Sequence, residues 1–292
     1  MFHGPLAAAL AFVLWGIFPI YIKQLQHVPA VELVAHRSAW SLLFVVVLLA
    51  SLRRLAWLPD VLLRPRALGI YALSAFLLSA NWLLYVWAVN NNRVIDASLG
   101  YFITPLVNVL LGCVVLHERP RPVQWVSVAL AGAGVLWLAL GTGQLPWIGL
   151  ILAFSFGTYG LLRKMAALGA IEGLALETLF QAPLAVGYLL FLAAQGTGQF
   201  AQGSSQTDWL LLLSGPVTAV PLLLFAAGAR RVTMATLGLL QYLGPTIQFV
   251  LGVWLYHEPF SASRGIGFAL IWTALIIYTA ESWWMLRGNR KV

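Results

Sequence analysis

Charge is what this sequence has least of. Only 9% of its 292 residues are charged, and nine of those are acidic, against about 25% charged residues in an ordinary soluble domain. Such a chain cannot cover itself with a surface that water accepts, which excludes a soluble globular fold. Cysteine is absent apart from Cys113, which excludes a disulfide framework and a cysteine-based metal site. Inside an apolar segment, Cys113 is expected to act as a small packing residue. The sequence also has no HExxH, no GxSxG and no glycine-rich loop ending in lysine, so nothing in it supports metalloprotease, serine-hydrolase or phosphate-loop chemistry. What it has in abundance is apolar length, with 61% hydrophobic residues and a mean hydropathy of +0.88. The net charge of +8 comes from basic residues at the ends of apolar segments rather than in one patch. That distribution fits membrane orientation rather than nucleic-acid binding.

Ten apolar segments can be marked, at 4–22, 31–52, 67–89, 95–116, 122–141, 146–163, 172–194, 209–228, 233–256 and 262–283. Each is close to the ~20 residues that a bilayer core requires of a helix. The fold class expected is therefore an all-α membrane protein with ten transmembrane helices. Met1-Phe2-His3-Gly4-Pro5 places no Lys or Arg before the first run, which is expected to be a spanning helix rather than a signal peptide. With the N-terminus inside, thirteen of the 17 Lys and Arg residues fall in cytoplasmic connections or the C-terminal tail, Arg163 and Lys164 among them. The outer connections hold only Lys23, Arg93 and Arg264. This positive-inside bias puts both termini in the cytoplasm and turns the loop from Gln195 to Asp208 outward.

The sequence repeats itself. In the fourth segment Tyr101, Pro105, Asn108 and Gly112 lead to His117-Glu118. At a constant offset, the ninth carries Gln241, Pro245, Gln248 and Gly252 before His257-Glu258. The spacing i, i+4, i+7, i+11 puts the four residues of each copy on one helix face. Ala30-Val31-Glu32 likewise answers Ala170-Ile171-Glu172, and Arg37 answers Glu177. Five helices per copy is an odd number, so the two copies insert with opposite orientation. Residues 1–141 and 142–292 are thus expected to be inverted five-helix repeats around a shared polar centre.

The candidate site residues are the polar groups within these spans. His36, Arg37 and Glu177 carry the ionisable chemistry. An intramembrane charge is costly enough to face a cavity or a protein interior, although snorkelling or local pairing with a carbonyl is the alternative. Asn81 and Tyr85 share a face of the third segment, where cavity lining competes with interhelical hydrogen bonding. The neighbouring Trp82 and Trp87 suit interface anchoring. Tyr101, Asn108, Gln241, Tyr242 and Gln248 combine aromatic faces with amide donors and acceptors, a set suited to an uncharged or zwitterionic organic molecule. Pro105 and Pro245 free backbone carbonyls one turn upstream. Together with Pro221, beyond Gly215-Pro216, they are candidate hinges. Glu177 and His36 are the candidate proton carriers. The His-Glu pairs fall at helix ends on opposite sides of the membrane and so cannot form one site. Ala131-Gly132-Ala133-Gly134 suits close helix packing.

Several stretches resemble the RarD-like branch of the EamA transporters, in the drug/metabolite transporter superfamily. They are Glu32-Leu33-Val34-Ala35-His36-Arg37, Asn81-Trp82-Leu83-Leu84-Tyr85-Val86-Trp87-Ala88-Val89-Asn90, Ser98 to Val107, Leu176-Glu177-Thr178-Leu179 and Leu240-Gln241-Tyr242-Leu243-Gly244-Pro245-Thr246. Thr104 stands where the family pattern has asparagine. The resemblance implies two EamA repeats and residence in the bacterial inner membrane. It also implies movement of a small organic solute, with the branch name tied to chloramphenicol sensitivity. By position it makes Arg37, Asn81, Tyr85, Tyr101, Glu177, Gln241 and Tyr242 pore-lining candidates.

The reading that follows is a secondary transporter or facilitator, an exporter by expectation, working by alternating access around a mid-membrane cavity. No cofactor, metal or nucleic acid is expected. The partner is the bilayer and a small organic solute such as an amino acid, an aromatic metabolite or a chloramphenicol-like drug. A monomer and a homodimer both fit. An intramembrane enzyme would need acid, base or metal ligands clustered at one depth, whereas a non-transporting scaffold would have little use for matched polar stripes.

Overall fold

The structure, a computed structural model, describes residues 4–90, 94–140, 147–202, 204–255 and 262–288. The first half contains α1 (Gly4–Lys23), α2 (Ala30–Ser51), the short α3 (Trp57–Leu62), α4 (Pro65–Asn90), α5 (Val94–Val115) and α6 (Pro122–Leu140). The second half contains α7 (Trp147–Met165), α8 (Ala170–Gln195), α9 (Ser205–Ala229), α10 (Met234–Gln241), α11 (Leu243–Val250) with a π-helical turn at Leu251–Leu255, and α12 (Ala262–Gly288). There is no strand among the described residues. Seven helical stretches are long and apolar enough to cross a membrane, and Gly100–Val115 and Gly265–Glu281 form shorter apolar helices. The chain is therefore a multi-pass all-α membrane protein.

Local sequence sets the helix limits. Pro65 and Pro122 open α4 and α6, where the missing N–H costs nothing and the fixed φ is already helical. Ser204 and Thr233 cap α9 and α10, their side chains accepting from Thr207 N and Thr236 N. Gly196, with φ 65°, closes α8 in the left-handed conformation that glycine adopts at little cost. The exterior is apolar, as at Leu184, 83% exposed, and Trp254, 81% exposed. In lipid such side chains are solvated, and helix association depends instead on close packing of small residues. A Cβ on Gly134 would lie 2.8 Å from the carbonyl oxygen of Gly267, which shows how tightly α6 packs on α12.

The two largest interior clusters tie most of the helices together. One gathers Phe12 of α1, Val45 of α2, Tyr159 of α7 and Phe225 of α9, with the Tyr159 and Phe225 rings stacked at 5.8 Å. The other joins Phe102 of α5, Ala131 of α6, Tyr242 and Phe268 of α12.

Two features depart from the sequence expectation. The break between the second and third segments contains the short helix α3. The ninth segment is not one helix but turns at Tyr242 between α10 and α11. Pro245 offers no N–H to the carbonyl of Gln241, and the chain tightens there, with Tyr242 N donating to Leu239 O at 3.2 Å. Pro105 occupies the matching place in α5, yet that helix continues unbroken. Its neighbour Thr104 donates to Gly100 O at 2.6 Å, a backbone contact that Gly244, in the equivalent position, cannot make.

Candidate functional site

A cavity of about 270 Å³ lies between α1, α2, α4, α5, α10 and α11, with Phe156 of α7 and Leu222 of α9 also on its wall. It extends to the helix ends at Lys23 and Ala30. A third of the lining residues are aromatic. Phe18 meets Trp82 edge-on at 6.2 Å, Trp82 meets Tyr85 at 6.0 Å, and Tyr85 meets Tyr101 at 5.8 Å. Against these rings stand the polar side chains of Lys23, Arg37, Asn81, Gln241 and Gln248.

Arg37 dominates the site's electrostatics. Its side chain is buried, its Nε donates to Thr218 Oγ1 at 2.8 Å, and its guanidinium carbon lies 3.6 Å from the Trp82 ring centroid and 4.9 Å from that of Phe18. No carboxylate lies within ion-pair distance of it among the described residues. A cation over aromatic faces gains about 2 kcal/mol when desolvated, less than the several kcal/mol that burying an ion costs. The guanidinium is therefore only partly compensated by the protein.

The amides around it are held in place by neighbouring helices. Asn81 Nδ2 donates to Leu152 O at 2.9 Å and to Ser155 Oγ at 2.8 Å. Gln248 Nε2 donates to Trp15 O at 3.1 Å. Gln241 Oε1 accepts from Asn108 Nδ2 at 3.0 Å, which fixes its rotamer, and its own Nε2 has no protein partner among the described residues. These contacts orient the amides at the cavity wall without using up all their hydrogen-bonding capacity.

Of the residues singled out from sequence, Arg37, Asn81, Tyr85, Tyr101, Gln241, Gln248 and Pro245 line this cavity. His36, Asn108, Tyr242, Pro105 and Pro221 do not. Asn108 is buried behind the cavity, between α5 and α10, and Tyr242 is fully buried with its hydroxyl donating to Phe102 O at 3.2 Å. Pro105 meets α10 at Gly238, where an added Cβ would come within 2.6 Å of the Pro105 carbonyl oxygen. Pro221 is buried within α9. His36 turns toward the 195–208 connection, 5.2 Å from the Phe200 ring, with Nδ1 accepting from Trp40 Nε1 at 3.0 Å. For His36 and Tyr242, next to the lining residues Arg37 and Gln241, the reason is direction around the helix axis; for Asn108 it is depth. A shared helix face fixes direction around the axis, but the cavity spans only part of the helix length.

Glu177 lies in a second, smaller cavity of about 40 Å³, whose lining includes Arg37, Ser41, Gln181 and Thr218. Its carboxylate is 3.4 Å from Arg163 Nη1 and accepts from Ser74 Oγ. Arg163 is as buried as Glu177 and donates to Ala170 O at 3.0 Å, so it is not the loop charge that its position beside Lys164 suggested. Beyond this pair, the end of the bundle rich in basic residues is tied shut. Glu118 accepts from Met234 N at 3.0 and 2.8 Å and lies 3.7 Å from Lys164 Nζ, which also donates to Ala229 O at 3.4 Å and to Val232 O. Arg54 pairs with Glu172 at 3.8 Å. The matching pair His257-Glu258 lies outside the described residues. Among those described, no group of three or more His, Cys, Asp or Glu side chains could hold a metal ion.

Sequence reasoning missed Phe18, Trp82, Thr218 and Arg163 as parts of the two sites. Trp82 adjoins Asn81 in sequence and carried the interface alternative instead, while Phe18 and Thr218 meet Arg37 only through the fold.

A polytopic helical bundle around an aromatic-lined cavity with a buried cation beside it suits the passage of small solutes. The model of the EamA-like transporter family matches residues 3–140. Protein RarD of Streptomyces exfoliatus is 48% identical over 96% of this chain and 88% of its own length. An uncharacterized transporter of Pseudomonas aeruginosa is 44% identical over 98% of this chain and 96% of its own. A protein of known crystal structure shares the fold, with a TM-score of 0.72 over 95% of this chain and 97% of its own at 18% identity. The chain belongs to the EamA-like transporter family, in its RarD-like branch.

Proposed function

We propose that this protein is a secondary transporter, not an enzyme, that exports a small organic metabolite or drug across the bacterial inner membrane by alternating access. Residues 1–141 and 142–292 act as two inverted repeats of five spanning helices each, with both termini cytoplasmic. The packing order supports this layout. The contact of α5 with α7 is answered by that of α11 with α1, and α4 with α7 by α9 with α1. The pairs α2–α8, α6–α12 and α5–α10 each join equivalent helices. The observation that carries the reading is the aromatic cavity around Arg37, walled by helices of both halves.

In this reading Arg37, Asn81, Tyr85, Tyr101, Gln241 and Gln248 contact the solute. Asn108, Tyr242 and His36 hold the surrounding helices in register. The turn at Tyr242-Gly244-Pro245 gives the second half a hinge, with Pro105 and Pro221 as lesser bends. Access comes from the Lys23–Ala30 end in the state observed, and opening the other end requires separating Glu118 from Lys164 and from the α10 N-terminus. Glu177, held by Arg163, is the group through which proton coupling would act. Amino acids, aromatic metabolites and chloramphenicol-like drugs are the solute classes to test, on a monomer or a homodimer.

Purified protein in liposomes, screened for uptake of amino acids, nucleobases, aromatic metabolites and chloramphenicol, provides the test. At least one class should cross faster than in protein-free liposomes. Rates equal to the protein-free control for every class would reject the reading.

A further inference from the structure

The charge balance of the central cavity identifies the kind of solute it takes. Among the described residues, the charged side chains in its lining are Lys23 and Arg37, with neither Asp nor Glu. Arg37 uses its Nε on Thr218 and presents a flat face to Trp82. A guanidinium carries five N–H donors, and the Nη donors of Arg37 have no protein partner among the described residues. A buried cation with unused donors, in a site of low dielectric, strongly favours an incoming anion. The planar fork of the guanidinium matches a carboxylate, which can accept two parallel hydrogen bonds. Glu177 shares the smaller cavity with Arg37 but lies outside ion-pair distance of it, its Oε1 held by Arg163 and Ser74.

The rest of the wall is suited to an apolar body. Phe18, Tyr85, Tyr101 and Phe156 present rings to the cavity, and stacking on such faces suits an aromatic or bulky aliphatic group. A free amino acid fits less well, because its ammonium would sit beside the buried Arg37 guanidinium, with no acid in the lining among the described residues. The zwitterion anticipated from the Tyr and amide residues alone is thus disfavoured once Arg37 is placed among them.

Resting on the reading that this cavity carries a solute, we infer that it selects organic monoanions, seating their carboxylate on Arg37 and their apolar body among the aromatic rings. Neutral, cationic and zwitterionic analogues of the same shape bind less well.

Three probes of nearly constant shape test this. N-acetylphenylalanine is the monoanion, its primary amide is neutral, and phenylalanine is the zwitterion. Binding is read on purified protein in detergent by thermal shift and by quenching of tryptophan fluorescence, and flux is read with radiolabelled probes in proteoliposomes. The monoanion should bind about tenfold or more tighter than either analogue, the usual worth of a charge-assisted pair. In Arg37→Gln that preference should vanish, and in Arg37→Lys it should survive in part. Equal affinity for the acid and its amide, absence of binding by the acid, or a preference that survives Arg37→Gln would overturn the inference. The comparison on unaltered protein requires no variant, so a misfolded Arg37→Gln does not remove the test. Acid-selective binding without flux of any probe would support the anion site and count against transport. Flux of the amide or of chloramphenicol with no preference for the acid would overturn the anion site and leave transport standing.

Discussion

Two arginines are buried among the described residues of this bundle, and their surroundings differ in kind. Arg163 meets the carboxylate of Glu177 at 3.4 Å and the carbonyl of Ala170 at 3.0 Å, in a region with almost no open volume. Arg37 meets a hydroxyl and two aromatic faces beside a cavity of about 270 Å³. The first charge is neutralised within the protein and joins α7 to α8. The second is left partly uncompensated where a solute can reach it. Burial alone therefore does not distinguish a structural charge from a binding charge, but the presence of a partner does.

This contrast makes the two sites respond differently to the same substitution. The largest effect belongs to Arg163→Gln, which strands the Glu177 carboxylate in the interior. A loss of about 3–5 kcal/mol is expected for removing one partner of a buried pair, read as a sharp fall in unfolding temperature in detergent and in membrane abundance. Arg37→Gln removes a charge that has no acidic partner, so stability should change by about 1 kcal/mol or less while solute flux in proteoliposomes collapses. If Arg37→Gln proved as destabilising as Arg163→Gln, the distinction between the two would fail. The smallest effect is expected behind the cavity, at Tyr242→Phe. It deletes a hydroxyl that donates to Phe102 O, at a cost of about 1 kcal/mol, with solute affinity unchanged. A large change in affinity there would mean that the cavity extends deeper than its present lining.

Much of this was legible in the sequence, and the omissions share a cause. Every apolar run but the ninth became a single helix within a few residues, because length and hydropathy act locally. The repeated stripe placed Tyr101 and Gln241 on inward faces, and both line the cavity. The same stripe could not show that Asn108 sits too deep, because periodicity specifies direction and not depth. Arg163 was sorted with the loop charges because a basic residue beside a lysine at a helix end is the usual mark of orientation. Its pairing with Glu177 depends on how α7 meets α8. The aromatic seat of Arg37 draws on Phe18 and Trp82, from helices separated by a long stretch of chain, and only the fold brings them together. The turn at Tyr242 was concealed by the matching proline in α5, where the helix runs on unbroken.

The central claim is that Arg37 borders a space reached from solvent and that Arg163 does not. Single cysteines in a Cys113→Ser background test this directly, with Val34→Cys one turn from Arg37 at the cavity wall and Ala166→Cys, a buried position, one turn from Arg163. A membrane-impermeant thiol reagent should label Val34→Cys rapidly in the folded protein and reach Ala166→Cys only after denaturation. Equal labelling of the two, or a Val34→Cys that stays silent until the protein is unfolded, would contradict the account.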